Sequence, residues 1–361
     1  MSGMPSINIS FTELAATAVK RGERGIVAMI LNDTSAPATN PFVCTAVSDI
    51  PAGLSAANKK QITLALKGYV NIPLRVVCYV VVPVTEENVT TVDYTPAYSA
   101  LDSVKFDYLV APTASTDAKC VEIASKIAAW RSNNKLVKAV LPSYTGDSEG
   151  IINYATTSVT EDSTTYTAEQ YCSRIAGIIA GTPISISCTY APLAELTDCE
   201  RLTKAQMDTA VDAGKLIVWW DGEKVKIARG VNSLTTLTSS KNSQFQKIKI
   251  VDAMDMIASD IKMTAEDNYL GKYANTYNNK CLLISAIGNY FDTLQRDDVL
   301  NSWELGIDID ANRSYLRGKG VDVDSMTDDE IKMANTGSYV YLTATLSILD
   351  AIEDIVLPIT I

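Results

Sequence analysis

Residues 107–141 read DYLVAPTASTDAKCVEIASKIAAWRSNNKLVKAVL, and the order of their apolar runs decides the fold class. Asp107 to Ala111 is a short apolar strand, Cys120, Ile123, Ile127 and Trp130 recur at helical spacing, and Val137 to Leu141 is a second strand. A strand, a helix and a strand in this order predict a β-α-β unit on a parallel sheet. Downstream, Thr167 and Gln170 make a capping box ahead of Tyr171, Ile175, Ile178 and Ile179, and Gly181 and Pro183 stop that helix. Leu216 to Trp220, then Asp221-Gly222, then Lys224 to Ile227 spell a two-residue hairpin, since glycine accepts the positive φ of a type I′ turn.

Upstream, Gly25 to Leu31 and Phe42 to Val47 read as strands. Ser55 caps a helix with Ile62, Ala65, Leu66 and Tyr69 on one face, and Leu74 to Val82 is a buried strand. Thr85 to Tyr94, polar and rich in threonine, reads as an interdomain linker. Beyond Ser240, a helix carries Ile250, Met254, Ile257 and Ile261 in one stripe, which is a core face. A second helix is expected from Lys280 to Trp303, then a strand near Leu305 to Ile309, a short acidic helix over Thr327 to Ala334, and a long strand from Ser338 to Leu349. The expected organisation is an N-terminal arm (1–20), a small β-rich domain (21–90), a middle α/β domain (91–238), a C-terminal α+β domain (239–350) and a C-terminal arm (351–361).

Composition narrows the function. Among 361 residues, 31 Lys+Arg stand against 42 Asp+Glu, a net charge of −11 with no basic run, which disfavours nucleic-acid binding through phosphate neutralisation. No stretch reaches the roughly 18 uncharged apolar residues of a bilayer span, and the first twenty residues make a poor secretory leader. The seven cysteines are scattered without a C-x-x-C, as expected of reduced, mostly buried thiols.

The chain contains no histidine, which removes the usual base of a serine or cysteine triad and the commonest metal ligand. Gly146-Asp147-Ser148-Glu149-Gly150 matches a G-x-S-x-G pattern, but Pro142 to Gly150 reads as a loop, Ile151 onward looks extended, and a nucleophile elbow needs a helix leading out. Asp308-x-Asp310-x-Asn312 opens like a calcium loop, yet Arg313 stands at the obligatory glycine position and Lys319 at the bidentate glutamate position. Gly318-Lys319-Gly320 lacks phosphate-loop spacing. No catalytic residue, no metal and no cofactor is expected, and the chain reads as a non-enzyme.

Both ends alternate. Ile7, Ile9 and Phe11 lie to one side of Ser6, Asn8 and Ser10, while Ile355, Leu357, Ile359 and Ile361 lie opposite Val356, Pro358 and Thr360. Such amphipathic strands either edge their own sheet or add to the sheet of another copy. In the second case, burying four large apolar side chains contributes about 6 to 12 kcal/mol. Ordering seven residues costs about 7 to 14 kcal/mol. The near-cancellation makes one arm marginal and many arms strong together through effective concentration.

With these features the chain resembles the contractile tail sheath proteins of myophages, PBSX-like particles and R-type bacteriocins. The resemblance is carried by Pro5-x-Ile7-x-Ile9-x-Phe11 with Val19 to Gly25, by Ala228-Arg229-Gly230-Val231-Asn232-Ser233-Leu234-Thr235-Thr236, and by Asp350-Ala351-Ile352-Glu353-Asp354-Ile355 before the last apolar strand. It implies a β-rich N-terminal domain, a middle α/β domain of subtilisin-like topology without the chemistry, and a C-terminal α+β domain. It further implies arms that join a neighbour's C-terminal sheet: Ile7, Ile9 and Phe11 at one end, Ile355, Leu357, Ile359 and Ile361 at the other. On this resemblance the acceptor strand carries Tyr339, Tyr341, Thr343 and Thr345. A helix from Asn289 to Asn301 is implied to face the inner tube with Asp292, Asp297 and Asp298. The implied partners are other copies of the chain in stacked rings, the inner tail tube, and the baseplate and tail terminator proteins, without nucleic acid or membrane insertion. Assembly is implied in the bacterial host cytoplasm, with the sheath ending in the particle tail. Two rivals remain: a non-contractile tube or shell subunit, and an α/β hydrolase-like enzyme with turnover dependent on Ser148.

Overall fold

The computed structural model describes residues 18–87 and 89–360. These form two compact units: the described residues of 22–257 with 350–360, and residues 258–349 with the described chain up to Arg21. No helix among the described residues is long and apolar enough to cross a membrane.

In the larger unit the chain runs β1 (Ile26–Asn32), β2 (Phe42–Cys44), α1 (Ala56–Leu66), β3 (Arg75–Val81), β4 (Val84–Glu86), β5 (Val89–Thr91), α2 (Thr95–Asp102), β6 (Tyr108–Val110), α3 (Cys120–Ser132) and β7 (Lys138–Pro142). It continues through β8 (Ile151–Tyr154), β9 (Ser158–Glu161), β10 (Thr164–Thr167), α4 (Ala168–Ala180), β11 (Asp198–Cys199), α5 (Lys204–Asp212), β12 (Lys215–Leu216), β13 (Val218–Trp220) and β14 (Val225–Ile227). A seven-stranded sheet in the order β12-β8-β7-β6-β1-β3-β2 is its centre, parallel throughout except for the edge strand β2.

Burial on both faces explains why β1 is apolar on both of its faces from Ile26 to Leu31 and β6 throughout. Along β1, Val27, Met29 and Leu31 enter the cluster that includes Ile62 and Ala65 of α1 and Ile175 of α4. Ile26, Ala28 and Ile30 enter the opposite cluster with Tyr98 and Leu101 of α2 and Ile127 and Trp130 of α3. The expected caps are present: Ser55 accepts from Asn58 N at 3.3 Å, and Thr167 and Gln170 close their box. The hairpin β13–β14 also forms, but Asp221 N donates to Lys224 O, so its turn centres on Gly222-Glu223 rather than Asp221-Gly222.

The expected division at residue 90 coincides with no break in this sheet. β1 lies between β3 and β6, with Val27 opposite Tyr108, so residues 26–81 and 108–154 build one layer rather than a β-rich domain beside an α/β one. Residues 85–94 hold the β4–β5 hairpin and Tyr94, whose side chain is fully buried and donates to Asp117 Oδ2 at 2.7 Å. A parallel pairing across 81 residues leaves no local trace, which is why composition suggested a linker. The chain passes from the larger compact unit to the smaller between residues 257 and 258, inside helix α6 (Ile248–Asn268).

The smaller unit continues with α7 (Tyr277–Arg296), β15 (Leu300–Ile307), α8 (Ile309–Gly318), α9 (Asp328–Met333) and β16 (Leu342–Ile348). Gly288 of α7 admits the Trp303 ring of β15, since a Cβ there would sit 3.1 Å from its Cη2. α7 stops seven residues short of the expected Trp303. Asp298 takes a φ of 55°, Asp298 N donates to Gln295 O and Val299 N to Leu294 O, a Schellman closure with Leu294 and Val299 both buried. Aspartate tolerates this left-handed conformation better than most non-glycine residues, so the stop carries no glycine signal.

Candidate assembly interface

β15 and β16 form a two-stranded antiparallel sheet, Glu304 opposite Thr345 and Gly306 opposite Thr343, with a shift between Leu300 and Ser302. Each pairs only with the other among the described residues, so each has an open outer edge. An unpaired row of N–H and C=O groups is a template for a further strand. Of the four acceptor positions, Thr343 and Thr345 lie exposed in β16. Tyr339 and Tyr341 precede the strand instead: their rings stack at 5.8 Å and 10°, with Tyr315 of α8 at 5.8 and 6.0 Å. Tyr339 N is turned to Thr336 O, which delays the strand's start, although Asp308 N still reaches Tyr341 O.

Past Leu349 the chain belongs to the larger unit, and its first residues are fastened there. Asp350 pairs with Lys247. Glu353 Oε1 accepts from Ser187 Oγ at 3.0 Å and Thr189 Oγ1 at 2.5 Å, with Arg229 Nε 3.6 Å from its other oxygen. Arg229 donates to Asp354 Oδ2 at 2.6 Å. Gly230 is required beside this latch, because a Cβ would stand 2.8 Å from Cys188 Sγ and 3.2 Å from Ser187 Oγ. The Arg229-Gly230 and Glu353-Asp354 motifs thus meet. The sequence reading singled out both segments without joining them, because their separation leaves no spacing to read.

Beyond the latch, residues 355–360 make no side-chain hydrogen bond or ion pair among the described residues. Ile355, Val356, Leu357 and Ile359 are 82, 92, 73 and 77% exposed, and residues 355–360 belong to no strand. Ile361, Ile7, Ile9 and Phe11 lie outside the described residues.

The three aspartates expected along one helix are placed differently. Asp292 is exposed on α7 and accepts from Trp303 Nε1 at 3.2 Å. Asp297 caps α7 and pairs with Arg21 at 2.5 Å, and Asp298 forms the turn into β15, which already contains Asn301.

The G-x-S-x-G segment is a loop fastener. Ser148 Oγ accepts from Gly150 N at 3.1 Å, and the Asp147 carboxylate accepts from Thr235 N and Thr236 N. These bonds hold that carboxyl below its usual range, led by the Thr236 side chain. Asp308 is the N-cap of α8, accepting from Ala311 N at 2.8 Å.

A charged cluster absent from the sequence reading sits inside the larger unit. Lys138 of β7, 3% exposed at its side chain, lies 3.0 Å from Asp252 and 2.6 Å from Asp255 of α6, while Arg131 of α3 also pairs with Asp255 at 2.9 Å. Tyr108 Oη donates to Asp252 at 2.5 Å. Burial opposes the lysine charge, and the two carboxylates outweigh it, holding the ammonium above its ordinary pKa. The helix was read as one apolar stripe, but its unit-facing stretch buries Asp252 and Asp255 among Ile250, Val251 and Ile257.

Residues 87–233 match the model of the phage tail sheath protein central domain, and residues 240–361 that of the phage tail sheath C-terminal domain. A tail sheath protein of Clostridium phage phiCD119 is 40% identical over 98% of this chain and 98% of its own. Among solved structures, a sheath tail protein from Desulfitobacterium hafniense superposes with a TM-score of 0.70 at 20% identity, covering 84% of this chain and 94% of that one. The anti-feeding prophage helical sheath in its contracted state gives 0.70 at 15% identity, over 100% and 99% of the two chains.

Proposed function

The chain belongs to the phage tail sheath protein family and is a tail sheath protein of a contractile injection system; from this premise we propose that it polymerises through its terminal arms. Copies stack as rings around an inner tail tube, and the sheath shortens to drive that tube through a target envelope. The observation that supports this reading is the run of bare aliphatic side chains from Ile355 to Ile359, beginning where the latch ends.

In this reading Ile355, Leu357, Ile359 and Ile361, with Ile7, Ile9 and Phe11, add to the open edges of β15 and β16 in another copy, Thr343 and Thr345 lying along the acceptor. Strand addition suits a link that must persist, because apolar burial and ladder bonds do not depend on the orientation of the bodies they join. Whole subunits move as rigid bodies, and the arms flex as hinges that keep the lattice connected. The tube is met by Asp292, Asp297 and Asp298 through exposed charges worth about 0 to 1 kcal/mol each, weak enough to let go.

The middle domain (91–238) is of subtilisin-like topology without a triad, since the chain has no histidine to act as its base, and the protein is no enzyme. Other copies, the tube, the baseplate and the terminator are its partners, with neither nucleic acid nor membrane insertion, and assembly takes place in the host cytoplasm. The N-terminal arm is residues 1–20, and the C-terminal arm, expected at 351–361, leaves its own body past the latch at Asp354. Deleting 355–361 leaves a folded monomer that no longer forms sheaths, by sedimentation and negative-stain imaging. Sheaths of ordinary length from that variant contradict the arm reading.

A further inference from the structure

Two hydrogen bonds, one at each end of β16, fix which of its backbone groups are taken. Asp308 N donates to Tyr341 O at 3.0 Å, and Leu349 N donates to Val299 O at 2.9 Å. Backbone groups leave a strand on alternate sides, so the odd-numbered residues from Tyr341 to Leu349 turn theirs towards β15. Those of Leu342, Ala344, Leu346 and Ile348 therefore point to the open edge. Thr343 and Thr345 are exposed at their side chains, yet their backbones belong to the ladder with β15. The four edge-facing residues are also the apolar row of the strand, with Leu342, Leu346 and Ile348 partly buried and Ala344 exposed. The matching row of β15 starts at Trp303, whose ring lies 5.6 Å from that of Phe291 of α7, so β16 presents the row with more left to cover.

The C-terminal segment has a parity of its own. Pro358 lacks an N–H, and a proline in a sheet keeps that side away from the ladder. Val356, Pro358 and Thr360 then face outward, and the backbones of Ile355, Leu357 and Ile359 face the acceptor. An antiparallel ladder sets edge-facing residues directly opposite one another, with their side chains on one face of the sheet. A parallel ladder sets an edge-facing residue opposite one that is turned away. Only antiparallel addition therefore lays Ile355, Leu357 and Ile359 on the apolar row of β16, whereas parallel addition lays them beside Thr343 and Thr345.

We propose that the arm of one copy adds antiparallel to the outer edge of β16 in another, Leu357 opposite Leu346 and Ile359 opposite Ala344, with Pro358 turned outward. This register seats Ile355 to Ile361 along the whole row from Ile348 to Leu342 and puts Ile359 beside its smallest member. The outward proline leaves the new edge one donor short, which blunts it against a further strand. The proposal rests on the arm reading above and gives that reading an edge, a direction and a register.

Full-length variants test it. Val356→Pro removes an outward N–H that no ladder uses, and this chain polymerises like the parent. Ile359→Pro removes the donor aimed at Ala344 O and leaves that acceptor unpaired, so it polymerises about tenfold less readily than Ile359→Ala, which has also lost the isoleucine side chain. In a second pair of variants, Ala344→Cys is combined with Ile359→Cys or with Thr360→Cys, and the polymer is treated with oxidised glutathione. The first combination gives a disulfide between copies, because facing Cα atoms stand about 5.5 Å apart, and the second does not. Equal losses from the two prolines, loss from Val356→Pro alone, a 344–360 link, or no 344–359 link in chains that polymerise overturns the proposal and leaves the arm reading standing. Sheaths of ordinary length from the 355–361 deletion remove both.

Discussion

Arg229 and Asp354, 125 residues apart, are joined by a 2.6 Å charge-assisted hydrogen bond that marks where the C-terminal chain stops being part of its own body. The same guanidinium stands 3.6 Å from Glu353, whose carboxylate is also held by Ser187 and Thr189. Arg229→Ala is expected to free Asp354 and loosen Glu353, with Lys247, Ser187 and Thr189 still holding the rest of the latch, while costing the fold only about 1 kcal/mol, because the Arg229–Asp354 pair is largely solvated. Hydrogen exchange of the 353–354 amides checks this: faster exchange with a near-unchanged melting temperature is the expected pattern.

Lys138 is a different case, since its pairs with Asp252 and Asp255 are buried. Lys138→Met leaves two carboxylates short of a counter-charge and is expected to destabilise the larger unit by about 3 to 5 kcal/mol. Adding Asp252→Asn and Asp255→Asn to the same chain recovers a large part of that loss, which thermal or urea unfolding of the parent and these two variants resolves.

Acid sensitivity has an identifiable source at Glu161 of β9. Burial works against its charge, and Lys60 of α1 and Lys67 at its C-cap, each 2.7 Å away, outweigh that and lower its pKa from 4.5 to about 2. Because the folded value lies below the unfolded one, the stabilisation is present above pH 4.5 and is lost as pH falls from there towards 2. Glu161→Gln is expected to be less stable than the parent at pH 7 and to flatten the stability curve in that window. A curve of unchanged steepness rejects the assignment.

The β-α-β unit around α3, the capping box at Thr167 and the cap at Ser55 were legible because each is encoded within a dozen residues or by one helical face. The pairing of β1 with β6 was not, because two buried parallel strands look alike wherever they sit in the sheet. Local chemistry also misled at Asp297 and Asp298, where acidic residues read as a helix face turn the chain into β15. Asp252 and Asp255 were hidden because a buried aspartate differs from a solvated one only by its partners, Lys138, Arg131 and Tyr108. At the C-terminus, alternation singled out Ile355, Leu357 and Ile359, and the structure finds those side chains bare and in no strand.

The most direct measurement is a cryo-EM reconstruction of the assembled sheath at a resolution that traces strands. The account predicts residues 355–360 as an added strand on the β15–β16 sheet of a different copy, with the Arg229–Asp354 bond intact at its root. Density that returns these residues to their own molecule in the polymer, or leaves them in solvent, contradicts it.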